Sequence, residues 1–222
     1  MHRDPSLNNT MYRKIDGKVY GVLTDFDLSS WTASLASDYT KTSQQRTGTP
    51  PFMAHGLLAG TDPVHLFRHD VESLFYIMLI VATRYEIEPP RKGRRRKAGM
   101  RTREGLVELP FHDWFDPPSY KALADSKQVF LSDTRDIHLS PAFEDFGDWI
   151  EGVRIAFYDG LLAKKAHEGS VRLAYRKTRS GGRAPPPFDD ATLGGHICYY
   201  TLIDSARNLQ GKLEGLIVRY DS

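Results

Sequence analysis

From His69 to Arg84 apolar residues recur at helical spacing, at Val71, Leu74, Phe75, Met78, Leu79 and Ala82. Ile77, Ile80 and Val81 fill the other faces, so the pattern predicts a helix buried nearly all round at the centre of the fold. Ser119 to Leu131 and Pro141 to His167 read as two amphipathic helices. In the second, Phe143, Phe146, Trp149, Ile150, Val153, Phe157 and Leu161 step by three or four. Phe52 to Ala59 is a short helix candidate, and Thr192 to Leu209 a last one. Near the start, Met11–Arg13 and Val19–Leu23 read as short strands. Ile15-Asp16-Gly17-Lys18 lies between them, and Asp-Gly is a strong hairpin signal. The expected fold is mainly α with a small β-hairpin, an α-rich lobe rather than a complete α/β domain.

The polar stretches separate these elements. The opening H-R-D-P-S-L-N-N reads as a loop. Asp27 to Pro51 is crowded with Ser, Thr, Gly and Pro without a period, and structureless loops of that length are often functional. Residues 176–188, with Gly-Gly and three consecutive prolines, read as a mobile linker.

Composition is that of one ordinary domain: 222 residues, 40% hydrophobic and 26% charged. Net charge is +2, yet residues 91–103 hold eight of the 30 basic residues and no acid, leaving 22 basic against 28 acidic elsewhere. A basic insertion at 89–105 is therefore expected, flexible and solvated. A nucleic-acid patch through Arg91, Lys92, Arg94, Arg95, Arg96 and Lys97 is the weaker reading, because no interleaved aromatics offer stacking. The single cysteine, Cys198, excludes an internal disulfide, and in H-I-C-Y-Y it reads as a buried structural thiol. His112 and His138 show no metal-ligand spacing. No signal peptide or membrane-length apolar run stands out, so an intracellular protein is expected.

Four motifs follow in order. His2-Arg3-Asp4 has Asn9 five positions after the Asp, and Asp25 comes sixteen residues later in T-D-F-D-L. Gly48-Thr49-Pro50-Pro51-Phe52-Met53-Ala54 closes the long loop, and Asp70 in H-D-V-E-S-L opens the central helix. Phosphoryl transfer needs a carboxylate to orient the attacking hydroxyl and hard oxygens to hold Mg²⁺ against phosphates. Asp4 can be the first, and Asn9 with Asp25 the second, since a hairpin returns its ends to one place. Taken singly, each match reads as an ordinary residue: a solvated loop acid, a turn residue, a strand-end cap. The ordered set carries the argument.

That set resembles the protein kinase subdomains from the catalytic loop onward. H-R-D-x-S, D-F-D in place of D-F-G, T-G-T-x-x-F-M and H-D-V-E-S-L-F-Y are together most similar to the fungal-type protein kinase family. The T-L-G-G-H segment, Thr192 to His196, also fits, so the resemblance runs from Met1 to about residue 205. It implies one partial kinase domain over 1–222: a C-terminal lobe lacking the N-lobe, with the catalytic loop at 1–10 and the activation segment at 25–56. By the same resemblance Asp4 is the catalytic base, and Asn9 and Asp25 hold Mg²⁺ and hence ATP. Ser6 stands where a catalytic-loop lysine is usual, and Thr49 reaches toward Asp4. Asp70 accepts main-chain N–H groups of the catalytic loop. Arg3 meets an activation-segment phosphate, with Ser29, Thr40, Thr42, Ser43 and Thr47 as candidate sites.

Three departures qualify this. Ser6 cannot neutralise phosphate charge. Asp27 replaces a glycine free to take positive φ. His55 and Gly56 occupy the stretch where a glutamate usually anchors the segment to a later arginine, so that ion pair is expected to be lost. The Gly-rich loop, the strand lysine and its glutamate partner would precede His2, where only Met1 stands. The expected function is transfer of phosphate from ATP to protein Ser/Thr hydroxyls, with the chain inactive alone. The alternative is a non-catalytic, pseudokinase-like interaction module.

Overall fold

The computed structural model describes residues 1–30, 48–60, 64–88, 99–103, 110–177 and 185–206. Two strands, β1 (Thr10–Ile15) and β2 (Lys18–Leu23), pair antiparallel with Ile15 opposite Lys18. Only Asp16 and Gly17 lie between them, both at positive φ (49° and 81°), as a two-residue hairpin with the right-handed strand twist requires. Every residue of β1 is exposed, so the hairpin projects from the body and is held at its base. There the Thr24 N–H donates to the Asn9 carbonyl (2.9 Å), and the Thr10 hydroxyl donates to the Ser6 carbonyl (2.7 Å).

The core is helical. A turn of 3₁₀ helix (Pro50–Phe52) leads into α1 (His55–Ala59), and α2 (Phe67–Arg84) follows as the central helix. Phe75, Tyr76, Leu79, Ile80 and Ala82 on α2 are all fully buried, in keeping with apolar residues on every face. α3 (Tyr120–Ser132) starts at Ser119, whose hydroxyl accepts the Ala122 N–H (3.1 Å). α4 (Gly147–Lys177) brings Trp149 and Phe157 to within 6.3 Å and 5.9 Å of the Phe75 ring, centroid to centroid. α5 (Tyr199–Ala206) closes the chain's described part, pinned by Trp149 Nε1 donating to the Leu202 carbonyl (2.8 Å).

Several expectations are corrected. α4 continues ten residues past His167, where Val171, Leu173 and Tyr175 are exposed rather than part of the core. The last helix starts at Tyr199 rather than Thr192, because Leu193, Gly194 and Gly195 all take positive φ and cannot continue a helix. Leu193 is fully buried there against Gly160, where an added Cβ would sit 2.8 Å from its own Cβ. A second hairpin, β3 (Tyr85–Glu88) with β4 (Gly99–Thr102), was not expected; β4 falls inside the basic insertion. It ends in Arg103, whose N–H donates to the Arg84 carbonyl (2.9 Å) and whose guanidinium donates to the Thr83 carbonyl (3.2 Å), satisfying the end of α2. Cys198 is exposed, not buried, because it sits in the turn before α5. Arg91–Lys97, the loop serines and threonines at 40–47, and most of the 176–188 linker lie outside the described residues.

Candidate active site

The His2–Thr10 loop is held from below by α2. Asp70, in the first turn, accepts the His2 N–H at Oδ2 (2.6 Å) and the Arg3 N–H at Oδ1 (3.0 Å), and His65 Nε2 meets the same Oδ1 at 2.8 Å. Arg3 adopts a left-handed backbone (φ 76°), a costly conformation for a non-glycine residue that the two-oxygen grip of Asp70 over-determines. The His2 ring joins the loop to the end of β2: Nδ1 accepts the Asp4 N–H (3.3 Å), which leaves Nε2 to donate to the Thr24 carbonyl (2.8 Å). Its ring also packs edge-on against Phe26 at 4.8 Å.

Asp4 is the point on which the other elements converge. Its Oδ1 accepts both the N–H (2.8 Å) and the hydroxyl (3.0 Å) of Thr49. Its Oδ2 receives only a long contact from Asn9 Nδ2 (3.4 Å), so this oxygen keeps lone pairs for an incoming group. Asn9 Nδ2 also donates to the Asp4 carbonyl (3.0 Å), which fixes the amide and turns its oxygen the other way. Asp25 follows Thr24, whose backbone docks on Asn9; it is exposed, takes φ 62°, and accepts no hydrogen bond from the described residues. Ser6 lies beneath this surface. It is 2% exposed, and its hydroxyl accepts the Asn9 N–H (3.3 Å), closing the 6–9 turn.

The 48–55 segment is anchored by residues that sequence reasoning missed. Lys127, on α3, is 0% exposed and donates to the main-chain carbonyls of Pro51 (3.0 Å) and Met53 (2.5 Å). Its ammonium also lies 4.0 Å from the Tyr76 ring centroid and 4.8 Å from that of Trp114. Glu72, on α2, accepts the His55 N–H (2.7 Å) and the Tyr76 hydroxyl (2.7 Å). Burial drives the Lys127 ammonium well below its usual pKa while the Glu72 carboxylate opposes the shift, and burial with the same carboxylate raises Tyr76. The signal was present: Lys127 stands in the apolar stripe of α3 with Leu123, Ala124 and Leu131, where a lysine has no reason to sit unless it has partners. At Gly56 an added Cβ would lie 3.2 Å from Arg68 and 3.0 Å from His69, so glycine leaves room for both side chains.

A family model described as fungal protein kinase matches residues 1–82. Over those residues, somewhat over a third of the chain, it is similar to fungal protein kinases. The match takes in the His2–Thr10 loop, the first hairpin, the 48–54 segment, α1 and nearly all of α2, and it stops well short of residue 205. No curated protein and no solved structure matches the chain. Fungal protein kinases as a family use ATP and Mg²⁺, and the donors here suit a hard cation: the Asn9 amide oxygen and the Asp25 carboxylate, neither engaged by the described residues. Among the described residues no three His, Cys, Asp or Glu side chains form a closed metal cluster, and no helix is long and apolar enough to cross a membrane.

Proposed function

We propose that this segment forms the catalytic-loop side of a phosphoryl-transfer site acting on protein Ser/Thr hydroxyls. The observation that carries the reading is the Asp4 carboxylate, held on one oxygen by Thr49 and open on the other, with Asn9 packed against it. Asp4 Oδ2 would accept the proton of the attacking hydroxyl and orient its oxygen. Asn9 Oδ1 and the Asp25 carboxylate would hold Mg²⁺, which supplies charge neutralisation of the phosphates when bound. Thr49 keeps Asp4 from rotating, and Asp70 keeps the loop itself in place. These residues would supply one wall of a nucleotide cleft.

The test is an NMR titration of the ¹⁵N-labelled chain with Mn²⁺·ADP, where paramagnetic broadening detects weak binding. Broadening should centre on the amides around Asp4, Asn9 and Asp25, and Asp25→Ala should remove it. Broadening centred elsewhere, or none at millimolar nucleotide, would refute the assignment. The second outcome favours an interaction module, a reading supported by the exposed apolar side chains of Met11, Tyr12, Ile15 and Val19 on the projecting hairpin. An intracellular location is part of the same proposal.

A further inference from the structure

Three anchors converge on seven residues of chain. Thr49 gives two donors to Asp4, Lys127 takes the carbonyls of Pro51 and Met53, and Glu72 takes the N–H of His55. The first anchor is the candidate active site; the other two lie on its far side, in the core. Gly48, at φ 131°, precedes the run and gives it a backbone joint that other residues rarely adopt. The segment between that joint and α1 has no β-ladder and only one turn of 3₁₀ helix to define its path. Its position must come from tertiary contacts, and the strongest of these are made by a buried charge.

We propose that Lys127, supported by Glu72, is a positioning residue: its ammonium fixes the carbonyls of Pro51 and Met53 and thereby sets the place from which Thr49 holds Asp4. An apolar side chain in its stead would fill the space but leave two buried carbonyls without donors. The segment would relax outward, and the Thr49 N–H and hydroxyl would leave Asp4 Oδ1 together, freeing the carboxylate to rotate. Glu72 holds the start of α1 through the His55 N–H and offsets the lysine's charge within the core. This inference deepens the phosphoryl-transfer reading, on which the role of Asp4 rests, but its test involves no nucleotide. Failure here and failure of the Mn²⁺·ADP titration are therefore separable.

The experiment measures amide hydrogen exchange by NMR on the full chain, comparing the Thr49 amide with that of Leu79 in the centre of α2. In Lys127→Met the Thr49 amide should lose protection about tenfold more than Leu79 does. In Glu72→Gln, which keeps an acceptor but removes the charge, the change should be smaller and in the same direction. Rescue comes from Lys127→Cys in a Cys198→Ser background, alkylated in denaturant with bromoethylamine and refolded. The product carries an ammonium at nearly the length of lysine and should restore Thr49 protection, while the unalkylated chain should not. Should Lys127→Met fail to fold, Glu72→Gln and the alkylation pair carry the comparison. The proposal is overturned if Thr49 and Leu79 lose protection in equal measure, if Thr49 is unaffected, or if the restored ammonium gives no recovery.

Discussion

Replacing Asp70 by alanine removes one carboxylate and leaves three donors facing a void. The His2 N–H at 2.6 Å, the Arg3 N–H at 3.0 Å and His65 Nε2 at 2.8 Å all end on it. His2 and His65 are buried, so water does not readily replace the lost acceptor. Each stranded buried donor costs roughly 1–3 kcal/mol, and losing one partner of a buried charged arrangement costs roughly 3–5 kcal/mol in total. The left-handed backbone at Arg3 then has less to hold it, so the loss should be concentrated in the His2–Thr10 loop. Asp70→Asn should fall between, at about 2–3 kcal/mol, because its oxygen still accepts while its amide nitrogen confronts a donor. Urea unfolding followed through the buried Trp114 and Trp149 measures both variants, and an unchanged m-value licenses the comparison. Exchange at residues 2–9 should rise more than exchange in α2. A loss below about 1 kcal/mol for Asp70→Ala, or equal exchange increases across the molecule, would refute the argument that this carboxylate organises the loop.

Three further outcomes follow from other sites. His69 is held neutral, its pKa lowered to about 2 by burial and by the neighbouring Arg68, His65, Lys164 and His55. Its unfolded counterpart binds a proton below about pH 6.5, so stability is full above that pH and falls as pH drops toward 2, by about 1.4 kcal/mol per unit from this group. His69→Gln, which keeps an acceptor for the Leu66 N–H, should remove that share of the slope in urea titrations between pH 7 and 4.5. Gly160→Ala should destabilise by about 1–3 kcal/mol because its Cβ would lie 2.8 Å from Leu193 Cβ and 3.2 Å from His196 Cβ. Gly169→Ala, on the same helix with nothing within 4 Å, should instead stabilise by about 1 kcal/mol through helix propensity and raise the melting temperature.

What the sequence revealed divides along a physical line. Local signals were sufficient for the hairpin, where Asp16-Gly17 supplies two positive φ values, and for α2, α3 and the first half of α4, where apolar spacing marks a buried face. The grip of Asp70 on the His2–Thr10 loop was also accessible, though only through resemblance, since 66 positions separate it from Asp4. At Lys127 the sequence shows a lysine in an apolar stripe but not what it holds, because the acceptors are the main-chain carbonyls of Pro51 and Met53, which any residue would supply. The positive φ at Leu193 was hidden for a similar reason: it depends on Gly160, remote in sequence, leaving room for the turn. The last ten residues of α4 have no core to face, since Val171, Leu173 and Tyr175 are exposed there, and the apolar steps that mark the helix up to Leu161 do not extend to them.

A cation bound to carbonyl oxygens imposes a different evolutionary constraint from an ion pair. A glutamate–arginine link ties two positions together, so neither can change without its counterpart. The Lys127 hydrogen bonds go to peptide carbonyls, and substitution at 51 or 53 leaves the number of those acceptors unchanged. The neighbouring surface can therefore diversify its side chains, and with them its choice of partner, while the chain path beneath stays put.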